Sequence, residues 1–325
     1  MQKIELKIGA YGLHQYFVNG VIYMPDNGYA NKVIHVVHGM TEHMGRYEQF
    51  AKDLTDYGIA VAGFDLRGHG KNSGSPECAS FISGQKLETD YGWKRSVDDI
   101  RQQKDVIKKY LPKAEYYLLG FSLGSFLVRE CLNTVNIGKI NGVILVGTGY
   151  QPSIVTGIMR LIAKSQIAKA DVGGTTDLIR TLAFSTYNKE FDRDGNGCGM
   201  EWLCSDTNQL ALYMQDQLVR PDIAADLFYE MLGGMHRTNK KKQSRYINNI
   251  KYAPVLLISG SDDAVGGMGK GIDNVAKVLK ANGFNSVKKL VLKKARHDVF
   301  HEYANGAYDR MMTHLLSWIG AENQF

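Results

Sequence analysis

Six short β-rich runs separated by helical stretches constrain this chain more than any other feature: "KVIHVVHG" (32–39), "IAVAGFD" (59–65), "EYYLLGF" (115–121), "GVILVG" (142–147), "PVLLISG" (254–260) and "SVKKLVL" (286–292). Most are continuous apolar runs, as expected of strands covered on both faces. The pattern predicts an α/β fold, a mostly parallel central sheet flanked by helices. Ahead of it, "HQYFVNGVIYMP" carries Asn19-Gly20 between β-rich segments, which predicts an antiparallel hairpin turning at that pair. Helices are predicted at about 46–57, 95–110, 123–134, 269–281 and 303–319, with Asn282-Gly283 stopping the fourth.

Between Gly147 and about Lys251 the strand rhythm gives way to helical apolar spacing in "SIVTGIMRLIAKSQIAK" and "IAADLFYEMLGGM". The chain therefore reads as a core in two parts, 1–147 and 251–325, with a helical cap or lid insertion at 148–250. A length of 325 residues suffices for one large domain with such an insertion, and 44% hydrophobic with 22% charged residues excludes a disordered chain. The net charge of +6 gathers in "NKKKQSR" (239–245) and "VLKKAR" (291–296), runs that read as solvated surface, so no nucleic-acid partner is expected. The first residues lack the apolar core of a secretory signal and no run approaches the ~18 apolar residues of a membrane span. A cytoplasmic location is the expectation, with Cys78, Cys131, Cys198 and Cys204 as free thiols because no C-x-x-C spacing occurs.

Within "YYLLGFSLGSFLVRE" one hydroxyl, Ser122, stands at the hinge between a strand and a helix, bracketed by Gly120 and Gly124 as G-x-S-x-G. That pattern marks a strained strand-to-helix turn which lifts a serine oxygen clear of the sheet edge. Reactive groups in open α/β sheets gather beyond the carboxyl ends of strands. Two downstream loops in such positions carry suitable partners: "SDDAVGG" offers Asp262 and Asp263, and "KKARHDVF" offers His297. A serine hydroxyl is a weak nucleophile until an imidazole takes its proton, and a carboxylate fixes that imidazole's tautomer. An oxyanion would be held by the Leu123 amide, next after the nucleophile, and by the Met40 amide in "VVHGMTEH", where His38-Gly39 turns the chain tightly after a strand.

Taken in order, "HGMTEHMGRY", "DLRGHGKNSG", "GFSLGS", "GSDDAVGG" and "ARHDVFHE" resemble the α/β-hydrolase family, in particular its monoacylglycerol lipase and lysophospholipase-like branch, over about 32–147 and 251–319. The resemblance implies that the triad acid is the third residue after the strand-end glycine, Asp263, and that a helical cap lies just before the acid-bearing strand, where this chain places residues 148–250. It implies a serine hydrolase that cleaves carboxylic esters through an acyl-enzyme, with lipid-derived substrates such as monoacylglycerols or lysophospholipids, Ser122, Asp263 and His297 as triad, and neither metal nor organic cofactor. Related hydrolases of the serine aminopeptidase type make amide or peptide cleavage the alternative, with Glu42, Glu201 or Asp206 as candidates to read a substrate amine. A non-catalytic ligand-binding module is the remaining alternative.

Other motifs have plainer readings. "HDVFH" places His297 and His301 four apart, as in a zinc helix, but lacks the longer glutamate. "DRDGNG" (192–197) imitates half of a calcium loop, with Leu203 where the bidentate glutamate belongs. His38 and His69 read as loop organisers and His35 as a satisfied core residue. The apolar stripe Ile154, Val155, Ile158, Met159, Leu161 and Ile162 suits either core packing or a lipid-facing lid that touches a membrane surface transiently.

Overall fold

The structure, a computed structural model, describes residues 1–10, 16–74, 77–81, 91–171, 173–220, 222–240 and 245–321. Strands β1 (Gln2–Ala10), β2 (Tyr16–Met24), β3 (Lys32–Val37) and β4 (Ile59–Phe64) open the chain, with α1 (Glu48–Thr55) between the last two. After the two-residue β5 (Cys78–Ala79) come α2 (Tyr91–Tyr110), β6 (Glu115–Phe121), α3 (Leu123–Thr134) and β7 (Gly142–Val146). The next hundred residues hold α4 (Ser153–Ile167), α5 (Asp177–Arg180), a π turn at Thr181–Ser185, α6 (Thr186–Asn188), α7 (Thr207–Gln215), β8 (Asp222–Ile223), α8 (Ala225–Thr238) and α9 (Ile247–Ile250). The chain closes with β9 (Val255–Gly260), α10 (Gly271–Ala281), β10 (Val287–Leu292) and α11 (Ala307–Trp318).

Eight strands form one sheet in the order β1-β2-β4-β3-β6-β7-β9-β10. The β1–β2 and β2–β4 pairs are antiparallel and the rest parallel. All six expected strands are present, and the continuous apolar runs have the expected cause. In β3, Val33 and Val37 face one core with Trp93, Ile100 and Phe126, while Ile34 and Val36 face the other with Phe50, Leu54 and Met311. Helices α2, α3 and α10 cover the first face and α1 and α11 the second, each buried aliphatic contributing about 1.5–3 kcal/mol. The order reverses between β3 and β6, which pair with Val37 opposite Gly120, so the crevice of a doubly wound sheet opens beyond their carboxyl ends.

Two local expectations are corrected. Asn19-Gly20 is not a turn: both residues lie inside β2, paired with Lys7 and Leu6, and the link from β1 to β2 falls at 11–15, outside the described residues. A Cβ on Gly20 would stand 2.2 Å from the Phe64 ring, and the Asn19 side chain donates to Asn72 Oδ1 at 2.7 Å. The pair serves close approach to β4 rather than chain reversal. Residues 148–250 are also not strand-free, since β8 pairs with β5 in a parallel ladder too short to leave a pattern. The helix stop behaves as expected: Asn282 caps α10 and Gly283 follows at φ +105°. None of the four cysteines is in a disulfide. The centre of the basic run, 241–244, lies outside the described residues.

Gly20→Ala should lower stability by about 1–3 kcal/mol, as overpacking does, because the Phe64 ring must leave its place between sheet and helices. Thermal melts of the variant and wild type measure it; an unchanged midpoint would refute the close-approach account of this glycine.

Candidate active site

Ser122 follows β6 directly, with φ +49° and ψ −116°, a region that side chains rarely occupy. Two glycines make the turn possible by leaving room. A Cβ on Gly124 would lie 2.0 Å from the Val37 carbonyl oxygen, and one on Gly120 would lie 2.6 Å from the Gly124 oxygen. Helix α3 can therefore start flush against β3 and β6, and the Ser122 amide donates to Val146 O at 2.9 Å, fastening the turn to β7. Leu123 is the first residue of α3, so its amide precedes the intrahelical ladder and is open to another acceptor.

The three side chains expected from the loops after β6, β9 and β10 meet in one line. His297 Nε2 stands 2.9 Å from Ser122 Oγ, and His297 Nδ1 stands 2.8 Å from Asp263 Oδ1. The Nδ1–H donates to the carboxylate, which leaves Nε2 to accept from the serine hydroxyl. Asp263 is fully buried and also accepts the Gly266 amide at 3.0 Å and the Ser259 hydroxyl at 3.3 Å, so each oxygen has a donor. The neighbouring Asp262 points elsewhere and accepts from Ser261 Oγ. Phe121 and Trp202 flank the His297 ring at 5.1 and 5.3 Å between centroids.

Met40 reaches the same place from the other side of the switch point. Its turn is fixed at Gly39, whose amide donates to Glu42 Oε1 at 2.6 Å, and at Thr41, which sits at φ +68° and shares a 2.7 Å hydrogen bond with Tyr213 OH. Met40 and Ser122 line one small cavity of about 20 Å³, roofed by Phe184, Met200, Trp202, Leu203 and Tyr213. A larger depression of about 640 Å³, floored by Arg46 and His301, lies apart from Ser122.

The remaining candidates take the structural places expected of them. His38 donates from Nδ1 to Gly39 O and accepts the Leu66 amide at Nε2, both at 2.8 Å, bracing the Met40 turn against the loop after β4. His69 donates to Arg67 O, and His35 lies between the Tyr116 hydroxyl and Gln103 Oε1. His301 faces Asp298 at 2.8 Å on a short 3-10 turn, and among the described residues no three His, Cys, Asp or Glu are grouped to hold a metal ion. The three carboxylates considered for reading an amine are already engaged. Glu42 accepts from Gly39, Tyr47 and Arg46; Glu201 accepts from Asn188 and the Cys198 amide; Asp206 caps α7 and accepts the Ala304 amide. Sequence reasoning passed over Arg46 and Asp298, which lie inside two of the quoted motifs but 252 residues apart. No described helix is long and apolar enough to cross a membrane.

A doubly wound sheet with a strained serine turn at its switch point defines an α/β-hydrolase. Residues 28–304 match the family described as serine aminopeptidase, S33, and the chain belongs to that family. It is 24% identical to the monoglyceride lipase of Mus musculus over 300 residues, 91% of this chain and 85% of that protein. A monoglyceride lipase homolog of Monkeypox virus is 31% identical over 97 residues, a match that spans 31% of the viral protein. Among solved structures, a thermostable carboxyl esterase from Bacillus coagulans superposes with a TM-score of 0.80 at 21% identity, covering 98% of each chain. A soluble variant of the Saccharomyces cerevisiae monoglyceride lipase superposes at 0.68 and 14% identity, covering 95% of this chain and 92% of that one.

Burial, the dominant cause, lowers the pKa of His35 and of His69 to about 3. Both folded values lie below the ~6.5 of an exposed histidine, so the stability that they supply is complete above pH 6.5 and is lost as pH falls toward 3. His35→Gln, which can keep both hydrogen bonds, should lose about 1 kcal/mol less than wild type between pH 6 and pH 5. Urea unfolding at the two pH values measures the difference, and equal losses would mean that His35 titrates in the native state.

Proposed function

We propose that the protein is a serine hydrolase that cleaves carboxylic esters, most suitably lipid-derived ones, through an acyl-enzyme. The hydrogen-bonded line from Asp263 through His297 to Ser122 carries this reading. Ser122 Oγ attacks the ester carbonyl as His297 Nε2 takes its proton, and Asp263 stabilises the imidazolium. The Met40 and Leu123 amides receive the oxyanion, each worth about 3 kcal/mol in the transition state. His297 returns the proton to the leaving alcohol, then draws one from the water that releases the acid. The chemistry needs neither metal nor organic cofactor.

Residues 1–147 and 251–325 act as the catalytic core and 148–250 as its cap. The cavity at Ser122 has room for about one water, so an ester enters only when the cap yields. The monoglyceride lipase relatives and the carboxyl esterase support an acyl ester of a small alcohol as substrate. The engaged state of Glu42, Glu201 and Asp206 favours an ester over an aminoacyl substrate, because a substrate ammonium would have to displace bonds that already hold the fold.

A fluorophosphonate probe should label Ser122 in the wild type and neither Ser122→Ala nor His297→Ala. Asp263→Asn should lower kcat on a p-nitrophenyl ester by about 10⁴-fold, because the imidazole then adopts the wrong tautomer. Asp262→Asn should stay within a few-fold of wild type. A folded wild type that resists the probe and turns over no ester would reject the reading.

The cap also offers a surface for lipid. Helix α4 turns Thr156, Ala163 and Gln166 inward and leaves Ile154 77%, Ile158 56% and Leu161 71% exposed. These three positions share one helical face, which supports transient contact with a membrane surface. Ile158→Asp with Leu161→Asp should reduce sedimentation with phosphatidylcholine vesicles and hydrolysis of vesicle-borne monoacylglycerol, while hydrolysis of a soluble short ester holds. Unchanged vesicle binding would remove α4 from that role.

A further inference from the structure

Arg46 joins the two loops that bring the oxyanion donor and the base to Ser122. Its Nε donates to Glu42 Oε2 at 3.2 Å, and its Nη2 donates to Asp298 Oδ2 at 2.9 Å. Glu42 uses its other oxygen to accept the Gly39 amide at 2.6 Å and the Tyr47 hydroxyl at 2.7 Å, which sets the turn carrying Met40. Asp298 is the residue after His297, and its own amide donates to Leu203 O at 2.7 Å. The guanidinium also lies 4.7 Å from the centre of the Tyr213 ring, whose hydroxyl reaches Thr41 in the same turn.

All three charged side chains are shut away from solvent, with Arg46 at 6%, Glu42 at 4% and Asp298 at 2% exposure. Burial opposes the charge on Asp298, yet His301 and Arg46 hold its carboxyl well below the usual carboxylate range, so it stays ionised beside the guanidinium. A buried pair of this kind gives little net stability compared with apolar packing of the same volume. What it supplies is direction: a planar fork with fixed angles, which a lysine ammonium lacks.

We propose that Arg46 is a positioning residue for the site, holding the Met40 turn and the His297 loop at a fixed separation through Glu42 and Asp298. The proposal rests on the ester-hydrolase reading of Ser122. The oxyanion donor and the base ride on loops after β3 and β10, strands that stand apart in the sheet order. The guanidinium spans the two loops, beside the His301 Nε2 contact to Arg46 O at 3.2 Å and the Tyr47–Phe300 ring pair at 5.1 Å, and among the described residues it alone reaches the carboxylates on both sides. A misplacement of about 1 Å at such a site costs on the order of 100-fold in rate while leaving substrate binding largely intact.

The test compares Arg46→Met, Arg46→Lys and the triple variant Glu42→Gln, Arg46→Met, Asp298→Asn with wild type, each checked by thermal melting and circular dichroism. The triple variant removes the Arg46 charge together with both carboxylates that it faces, and the amide introduced by Asp298→Asn can still hydrogen-bond His301, so it keeps the test open if Arg46→Met alone fails to fold. Expected for every folded variant is a kcat on p-nitrophenyl butyrate about 100-fold lower, a KM within about 3-fold, and fluorophosphonate labelling of Ser122 slowed by the same factor as kcat. A folded variant with kcat and labelling rate near wild type overturns the positioning role, and so does a loss confined to the melting temperature. If wild type itself neither labels at Ser122 nor hydrolyses the ester, the reading of the site has failed and the role falls with it. If wild type labels and the Arg46 variants label equally fast, the reading stands and only the clamp is wrong.

Discussion

The backbone of Ser122 is the constraint on which the rest of the structure depends. A non-glycine residue at φ +49° and ψ −116° costs about 1–3 kcal/mol and persists only where its surroundings over-determine it. Here they do so three times. The Ser122 amide is bound to β7, the α3 backbone is packed against Val37 through Gly124, and Gly120 admits the helix above it. Each requirement needs the sheet order as it stands, with β3 and β7 on either side of β6. The strain keeps the hydroxyl above the sheet edge, where His297 Nε2 meets it at 2.9 Å, the contact on which the proposed mechanism rests.

Because that strain is paid locally, it writes a local signature. Ser122 and His297 were legible from strand-end position alone, since G-x-S-x-G and a loop histidine each follow an apolar run. The carboxylate was only half legible. The residues offered Asp262 and Asp263 alike, and the family resemblance chose the second, because the direction of two adjacent side chains depends on how the turn closes. In this turn the Gly266 amide and Ser259 hydroxyl gather on Asp263, which aims it at β10's loop.

Other features were misread or invisible for equally physical reasons. Asn19-Gly20 carries the composition of a hairpin turn, but its glycine answers a tertiary demand from Phe64, 44 positions away by residue number. The β5–β8 ladder has two pairs and no periodicity to read. In α4 the apolar stripe suited either core or surface, and the structure divides it unusually, with threonine, alanine and glutamine turned inward. The pair between Arg46 and Asp298 bridges 252 residues, a distance over which one sequence carries no pairing signal.

The roof over Ser122 is bound to the rest of the molecule in two different ways. Residues 201–206 are tied to the histidine loop by Arg296 Nη1 to Glu201 O at 2.6 Å, the Asp298 amide to Leu203 O at 2.7 Å and the Ser205 amide to Glu302 Oε1 at 3.0 Å. Swinging this segment away would drag on the loop that carries His297 and, through Asp298, on Arg46. Phe184 instead rides on the π turn before α6, a segment that packs on Trp202 through the Phe184 and Tyr187 rings, 6.4 and 5.5 Å between centroids, and hydrogen-bonds to Trp202 and Glu201 through Asn188. The hydrogen bonds around the loop that sets His297 2.9 Å from Ser122 therefore also fix residues 201–206, while the Phe184 side of the roof is held mainly by ring packing.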